Sequence, residues 1–313
     1  MPGGRCSPSS RNTRASRPAA ELKLGKAGVF LGSIALLPAS QLRRAVAEIE
    51  AMGFGTIWIG EATSREPFAL CAIVLAATER IRVATGIANI WARDAQAMAN
   101  GSRTLAEAWP DRFVLGIGVS HATLVNSRGH HYDKPLSAMK AYLDAMQKAP
   151  YRGAEPAVPA PIVLAALGPK MLELAKVRTA GAHPYFVPVE HTKGARAILG
   201  PDRLLAPEHA VVFAADRATA RRTGDRYTRS YLELPNYHNN LERLGWSSAD
   251  LEGTGSDRLF DAVVAWGDDA TIAKKVLGHI EAGADQVVVQ VITPTPDVAP
   301  TGELRRLVPL LLR

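Results

Sequence analysis

Two short segments of the sequence could bind an anion. Residues 113–121, F-V-L-G-I-G-V-S-H, place Gly118 and Ser120 after an apolar run, where glycine lets backbone N–H groups approach a ligand and serine adds a hydroxyl donor. Residues 165–170, A-A-L-G-P-K, place Pro169 where a helix would begin, so that free N–H groups could face a phosphate. Each segment alone could be a tight turn, but together they predict a phosphate site.

Two side chains near these segments could exchange a proton. Glu61 ends the apolar run T-I-W-I-G-E, where it could pair with Arg65 or face a ligand. His121 directly follows Ser120 and could be a polar loop residue, a hydrogen-bond donor to a ligand, or a general acid or base. We therefore take Glu61 and His121 as the candidate catalytic residues.

Four further side chains could line the same site. Asn89 and Trp91 follow a third apolar run, where Trp91 could equally belong to the core or to a lid. His183 and Tyr185 lie on a later run, and the parity of that strand decides whether they point inward. The histidine pair at residues 130–131 comes without a carboxylate or cysteine framework, so we expect no metal site.

These residues need strands and helices that bring them together. Short apolar runs alternate with amphipathic helices, and a helix–glycine–strand junction recurs as A-M-G-F-G-T-I-W-I, T-A-G-A-H-P-Y-F and E-A-G-A-D-Q-V-V-V. A glycine after a helix can adopt positive φ and release the chain into the next strand. The pattern predicts repeated βα units around a parallel sheet. The predicted strands are Lys26–Gly32, Thr56–Gly60, Arg82–Ile87, Phe113–Gly118, Ile162–Ala166, Ala182–Val187, His209–Ala214 and Gln286–Ile292.

The number of units favours a closed barrel over a doubly wound sheet. No G-x-G-x-x-G follows the first strand, where a dinucleotide-binding domain would carry it. We predict an α/β protein with one (β/α)8 TIM barrel over residues 25–313 and an insertion in its C-terminal half. Pro235–Leu251 is interpreted as an inserted loop or lid, and Leu259–Val264 as a helix. In such a barrel the active site lies at the C-terminal ends of the strands, where the candidates above fall.

Composition narrows the class of protein further. Hydrophobic residues make up 47% of the 313, as in folded domains, and no apolar run reaches the roughly 18 residues that span a bilayer. Part of the net charge of +7 comes from arginines in residues 1–20, which contain no acid. We expect residues 1–24 to be a disordered basic tail, and neither a membrane nor a nucleic acid to be a partner. Two cysteines, Cys6 and Cys71, fit a cytoplasmic protein.

The strand ends also resemble those of a known family. The stretches that carry the resemblance are G-V-F-L-G, G-F-G-T-I-W-I-G-E, A-T-G-I-A-N, D-R-F-V-L-G-I-G-V-S-H, V-L-A-A-L-G-P-K-M-L-E-L-A, A-G-A-H-P-Y, L-P-N-Y-H-N-N-L, G-S-D-R-L-F-D-A-V-V-A-W-G and A-G-A-D-Q-V-V-V-Q-V. In this order they resemble the luciferase-like monooxygenase superfamily, and within it the coenzyme F420-dependent oxidoreductases. The resemblance covers nearly everything after residue 25.

The resemblance implies a cofactor and its contacts. Such enzymes hold a deazaflavin ring at the barrel mouth, and the phosphate of its tail meets the loops after the fourth and fifth strands. By position these loops are Gly118, Val119 and Ser120, and Leu167, Gly168 and Pro169. Relatives also carry a non-proline cis peptide behind the ring, which would be Gly86–Ile87 here, and Asn89 would contact the ring.

The resemblance further implies hydride transfer between coenzyme F420 and an unidentified small organic substrate, in a homodimer. The sugar-phosphate dehydrogenases of the superfamily have an acid–histidine pair after the second strand. Here Glu61 is followed by Ala62, which argues against sugar-phosphate oxidation. Two alternatives stay open: an FMN-dependent two-component monooxygenase, and a non-catalytic flavin or deazaflavin carrier.

Overall fold

The strands of the chain are short apolar runs that lie parallel to one another. A computed structural model describes residues 22, 24–295 and 297–312. Each hydrogen-bonded strand pair is parallel, as expected for apolar strands that are covered on both faces. In chain order the strands are β1 (Ala27–Phe30), β2 (Thr56–Ile59), β3 (Arg82–Thr85), β4 (Ala88–Asn89), β5 (Phe113–Gly118), β6 (Ile162–Leu164), β7 (Gly181–Ala182), β8 (Leu204–Leu205), β9 (Glu208–Phe213), β10 (Val264–Gly267) and β11 (Val287–Val291).

Helices cover the outside of the sheet and connect successive strands. A 3-10 helix, Gly32–Leu36, follows β1. The α-helices are α1 (Ala39–Met52), α2 (Pro67–Ala76), α3 (Ala95–Ala108), α4 (Ala122–Ser127), α5 (Pro135–Lys148), α6 (Pro169–Arg178), α7 (Val189–Leu199), α8 (Arg217–Leu232), α9 (Pro235–Arg243), α10 (Ser248–Leu251), α11 (Asp257–Val263), α12 (Asp269–Glu281) and α13 (Thr301–Leu311). None of the helices in the described ranges is long and apolar enough to cross a membrane.

The sheet closes into a barrel through one continuous piece of chain. β8 pairs with β7, β9 pairs with β11, and only Ala206 and Pro207 separate β8 from β9. These two strands therefore occupy one position, the seventh. The circuit runs through β1, β2, β3 with β4, β5, β6, β7, β8 with β9, and β11, which pairs with β1. The predicted (β/α)8 barrel is confirmed.

The predicted insertion in the C-terminal half is also confirmed, but its contents differ from expectation. Residues 217–267, between β9 and α12, form α8, α9, α10, α11 and β10. Pro235–Leu251, predicted as a loop or lid, contains two helices, and the predicted helix over Leu259–Val264 ends at Val263. Val264–Gly267 is a strand because its apolar run pairs with β9, and periodicity cannot separate a short buried strand from a helix.

The sixth strand is shorter than predicted. Sequence analysis assigns Ala182–Val187 to it, but β7 ends at Ala182. Pro184 has no N–H to donate to a neighbouring strand, and Phe186 has a φ of 52°, which turns the chain away from the sheet. The turn places His183 and Tyr185 at the end of the strand.

Buried side chains close the N-terminal end of the barrel. Trp58 is fully buried, and its indole N–H donates to the Gln286 amide oxygen at 3.0 Å. Leu22 and Leu24, which the sequence assigns to the tail, are buried in the same cluster. The rest of the predicted tail lies outside the described residues.

Candidate active site

A cavity of about 710 Å3 opens at the C-terminal ends of the strands. Its wall takes residues from the segments that follow β2, β3, β5, β6 and β7, and from the insertion helices α8 and α9. Of the eleven predicted catalytic and cofactor-binding residues, eight line the cavity: Glu61, Gly86, Ile87, Val119, Ser120, His121, Leu167 and Gly168. The barrel therefore brings together, at the C-terminal ends of its strands, residues that are far apart in the chain.

The three remaining candidates lie just behind the cavity wall. Gly118 ends β5, where a side chain would approach Ile87 to 2.6 Å, so close packing alone already requires glycine. Pro169 is the first residue of α6. Asn89 is fully buried; its side-chain oxygen accepts the Trp91 backbone N–H at 2.9 Å, and its Nδ2 has no partner among the described residues.

The segment after β3 forms part of the cavity floor. The peptide bond between Gly86 and Ile87 is cis, which confirms what the resemblance implies. A side chain on Gly86 would come within 3.0 Å of His183 Nε2 and 3.2 Å of the Phe30 ring. The floor is therefore a backbone surface enclosed by rings.

Glu61 is held by an ion pair rather than left free. Both of its oxygens bind the Arg93 guanidinium, at 2.7 and 2.9 Å, and Oε2 also accepts the Asn89 backbone N–H at 2.7 Å. The alternative pairing with Arg65 is wrong, because Arg65 donates to the Leu37 carbonyl. With both oxygens bound, Glu61 ties the end of β2 to β4.

His121 is oriented by a residue of the insertion. Its Nδ1 lies 3.0 Å from the Asn236 side-chain oxygen, so that Nδ1 carries the proton and Nε2 is the basic nitrogen. Burial lowers the pKa of His121, and the hydrogen bond to Asn236 opposes this effect. The ring is therefore neutral at neutral pH and can accept a hydrogen bond or a proton.

One end of the cavity combines a helix start with a guanidinium. Gly168 is the N-cap of α6 and provides no side-chain cap, and a side chain there would lie 3.5 Å from Arg243 Nη2. The contacts that hold Arg243 are neutral: the Asn239 carbonyl at 3.3 Å and the Asn240 amide oxygen at 3.4 Å. The helix N-terminus and the guanidinium both favour an anion.

Sequence analysis missed Arg243. It belongs to the insertion helix α9, which meets the loop after β6 only through the tertiary fold. A single arginine in L-E-R-L carries no local signal.

Ser120 has a backbone conformation that is uncommon for a serine. Its φ is 57°, in the left-handed region, and it lies between β5 and α4 on the cavity wall. The carbonyl of the preceding residue, Val119, accepts the Trp91 indole N–H at 3.1 Å. Trp91 is thereby fixed against this loop.

His183 and Tyr185 both line the cavity, because residues two apart point to the same side of an extended segment. The His183 Nδ1 lies 2.6 Å from the Ala206 carbonyl, and its buried Nε2 has no partner among the described residues. Burial lowers the pKa of His183 to about 4, against the opposing hydrogen bond. Because the carbonyl can only accept, Nε2 of this neutral ring is an acceptor for a ligand.

A group of tyrosines forms the wall on the insertion side. The Tyr185 hydroxyl donates to Gln290 Oε1 at 2.5 Å, and the Tyr231 hydroxyl donates to Tyr185 at 3.0 Å. Tyr237 packs edge-on against Tyr231, with ring centroids 5.1 Å apart. The i, i+4 spacing of Tyr227 and Tyr231 on α8 is a signal that sequence analysis could have used.

Comparison with protein families identifies the class. The model of the luciferase-like monooxygenase family matches residues 22–286. The chain therefore belongs to the luciferase-like monooxygenase family. It is also similar to a Mycobacterium tuberculosis protein named as a coenzyme F420-dependent oxidoreductase, with 30% identity over 124 residues. That match covers 39% of this chain and only 36% of the relative.

Solved structures of both cofactor types share the fold. An F420-dependent secondary alcohol dehydrogenase, in complex with an F420–acetone adduct, superposes with a TM-score of 0.70 at 13% identity, over 90% of this chain and 99% of that one. A type II Baeyer–Villiger monooxygenase component from Pseudomonas putida, in complex with FMN, gives 0.69 at 15% identity, over 92% and 98%. At these identities the likeness establishes the fold.

Proposed function

We propose that this chain is an oxidoreductase that transfers hydride between coenzyme F420 and a small organic substrate. The observation that carries the proposal is the Gly168 helix start facing the Arg243 guanidinium at one end of a large cavity. This arrangement suits a ligand that carries a phosphate. The F420-dependent name of the M. tuberculosis relative supports a deazaflavin over other phosphate-bearing cofactors.

The residues present fit such a cofactor. Ser120, Gly168 and Arg243 would hold the phosphate. Gly86 and His183 would hold the ring, since the unpartnered His183 Nε2 offers an acceptor at the cavity floor. When bound, the deazaflavin supplies or takes up the hydride.

The protein orients the substrate and handles the proton that accompanies the hydride. The neutral His121 ring can accept a hydrogen bond from a substrate hydroxyl through Nε2. Beside His121, Tyr185, Tyr231 and Tyr237 give the cavity wall both apolar surface and hydroxyl groups. The Glu61–Arg93 ion pair holds the segments after β2 and β3 together. Secondary alcohols and their ketones are therefore the first substrates to test.

Binding measurements test the cofactor. We expect purified protein to bind coenzyme F420 more tightly than FMN, and to bind the phosphate-free deazaflavin nucleoside more weakly than F420. Arg243→Gln should weaken F420 binding by about tenfold or more, the effect of losing one charge-assisted hydrogen bond of about 1.5–3 kcal/mol, and leave the affinity for the nucleoside unchanged. The matched control Arg229→Gln, on the exposed side of α8, should change neither affinity.

The same titrations separate the alternatives. Tight FMN binding with no affinity for F420 would overturn the proposal and favour a two-component monooxygenase, whose fold this chain shares. Firm F420 binding without hydride transfer to any alcohol or ketone would instead favour a carrier. Equal loss of F420 and nucleoside affinity in Arg243→Gln would remove Arg243 from the phosphate site.

A further inference from the structure

Glu208, the first residue of β9, is fully buried, and among the described residues its carboxyl group has no charged hydrogen-bond partner. Its exposed fraction is 0%. Oε2 accepts the Phe186 backbone N–H at 3.2 Å, and both oxygens accept the Tyr227 hydroxyl at 3.1 Å. Burial raises the pKa of Glu208 to about 8, against the opposing hydrogen bonds. Glu208 therefore holds a proton at neutral pH.

Packed tyrosines lie between this carboxyl group and the cavity. The Tyr227 ring packs against those of Tyr185 and Tyr231, with centroids 6.4 and 5.0 Å apart. Tyr185 donates in turn to Gln290, and Tyr231 donates to Tyr185. Tyr227 is buried, whereas Tyr185, Tyr231 and Gln290 line the cavity. Neighbouring tyrosine hydroxyl groups thus extend from Glu208 to the substrate side of the cavity, and ring packing brings Tyr227 next to Tyr185.

The chain can carry a proton because each hydroxyl can both donate and accept. With Glu208 protonated, its O–H can donate to Tyr227, Tyr227 to Tyr185, and Tyr185 to a group in the cavity. With Glu208 ionised, Tyr227 donates to the carboxylate, and Tyr185 can donate to Tyr227. The two charge states of the Glu208 carboxyl group therefore correspond to opposite directions of proton donation along these tyrosines. The other titratable groups that interact with Glu208 are Tyr231 and Tyr237.

We propose that Glu208 is a proton reservoir for the active site, and that Tyr227 and Tyr185 relay its proton to and from the substrate. This inference rests on the proposed function. When a carbonyl substrate is reduced, its carbon gains the hydride of the reduced deazaflavin, and its oxygen gains the Tyr185 proton. Tyr185 is refilled from Tyr227, and Tyr227 from Glu208, which is left as a carboxylate. Alcohol oxidation runs the same transfers in reverse, and water that enters after product release restores the proton.

In this scheme Tyr185 is the catalytic residue, and Glu208 and Tyr227 are positioning and proton-supplying residues. His121, whose ring packs against Tyr237 with centroids 5.5 Å apart, orients the substrate oxygen. The relay also explains why a glutamate is fully buried at the start of β9, since buried ionisable groups are concentrated at functional sites.

Proton exchange in the protein without cofactor tests the relay directly. Infrared difference spectra should show the C=O band of a buried carboxylic acid, which titrates at about pH 8 and is absent in Glu208→Gln. On transfer to heavy water this band should shift as its proton is replaced by deuterium. In Tyr227→Phe we expect the exchange to be slower by at least about tenfold, because the link to the cavity is cut; this corresponds to about 1.4 kcal/mol of added barrier.

Two comparisons make the result decisive. Tyr185→Phe interrupts the relay one step nearer the cavity and should slow the exchange to a similar extent, so the test survives if Tyr227→Phe does not fold. Tyr151→Phe, which removes a hydroxyl from a ring that packs under Arg103, should leave exchange unchanged. Unaltered exchange in both relay variants, or the absence of the acid band, would overturn the inference. Because no cofactor is present, failure of the relay is distinct from failure to bind coenzyme F420.

Discussion

At the scale of single residues, the partners of a buried carboxylate decide its charge. The Glu61 side chain is 6% exposed and is bound on both oxygens by the Arg93 guanidinium, which fixes it in place. Glu208 is equally hidden, but a tyrosine hydroxyl and a backbone N–H are its hydrogen-bond partners. A positive neighbour offsets the desolvation of a carboxylate far better than neutral donors do. The two glutamates of one site are thus suited to different tasks.

The proton held by Glu208 should be visible in the pH dependence of stability. Its pKa is raised to about 8 in the folded protein, above its ordinary value of 4.5. Between these values the native state holds a proton that the unfolded state has lost, so stability falls as pH rises, by about 1.4 kcal/mol per pH unit. Glu208→Gln should remove this slope.

Urea unfolding at several pH values between about 5 and 8 measures this effect. The difference in unfolding free energy between Glu208→Gln and the wild-type protein should shift steadily in favour of the variant as pH rises. Glu79→Gln, at a glutamate whose side chain is 85% exposed, should instead give a difference that is nearly constant. Parallel curves for Glu208→Gln and wild type would show that Glu208 is ionised throughout.

Removal of Arg93 should be costly because it leaves a buried charge behind. We expect Arg93→Gln to reduce the free energy of unfolding by about 3 kcal/mol, as when one partner of a buried pair is lost. Arg80→Gln, at an exposed pair 3.8 Å apart, should cost less than about 1 kcal/mol. Adding Glu61→Gln to the Arg93 variant should restore part of the lost stability. If the effects of the two substitutions on the free energy of unfolding simply add, the two residues do not stabilise the fold as an ion pair.

At the scale of elements, the strand ends depend on close approach between neighbouring backbones. β5 passes so near the end of β3 that a side chain on Gly116 would lie 1.9 Å from the Thr85 carbonyl oxygen. The Thr85 hydroxyl replaces part of the backbone pairing here, since it donates to the Gly116 carbonyl at 2.7 Å and accepts the Gly116 N–H at 2.9 Å. This junction directs the chain into Gly86 and Ile87 at the cavity floor.

Gly116→Ala should therefore destabilise the barrel strongly. The added methyl group meets backbone rather than a flexible side chain, so we expect a loss of about 3 kcal/mol or more. Gly194→Ala in α7, where a side chain would meet none of the described residues within 4 Å, should instead stabilise by about 0.5–1 kcal/mol. Thermal or urea unfolding of both variants provides the measurement. A mild effect at Gly116 would mean that β3 and β5 can move apart.

At the scale of the whole molecule, the sequence predicts the barrel but only part of its site. Apolar runs and glycine junctions locate most strands, because those signals are local. The sequence predicts His209–Ala214 as the seventh strand of the barrel. Glu208, which begins the observed strand, carries no local signal because one acid beside an apolar run has no periodicity. Arg243 and Asn236 reach the site from the insertion, where contact depends on how helices pack and not on spacing. The homodimer stays a prediction.

The extra strand β10 attaches the C-terminal end of the insertion to the barrel sheet. It joins the ladder of β9 at Val264–Gly267, just before α12 returns the chain to the barrel. Asn236 and Arg243 thus belong to one inserted segment, which begins after β9 and pairs with β9 again through β10 at its end. Exchange of residues 217–267 as a single unit would therefore change Tyr231, Tyr237 and Arg243 of the cavity wall together. The backbone of the cavity floor at Gly86 and Ile87 lies outside this unit.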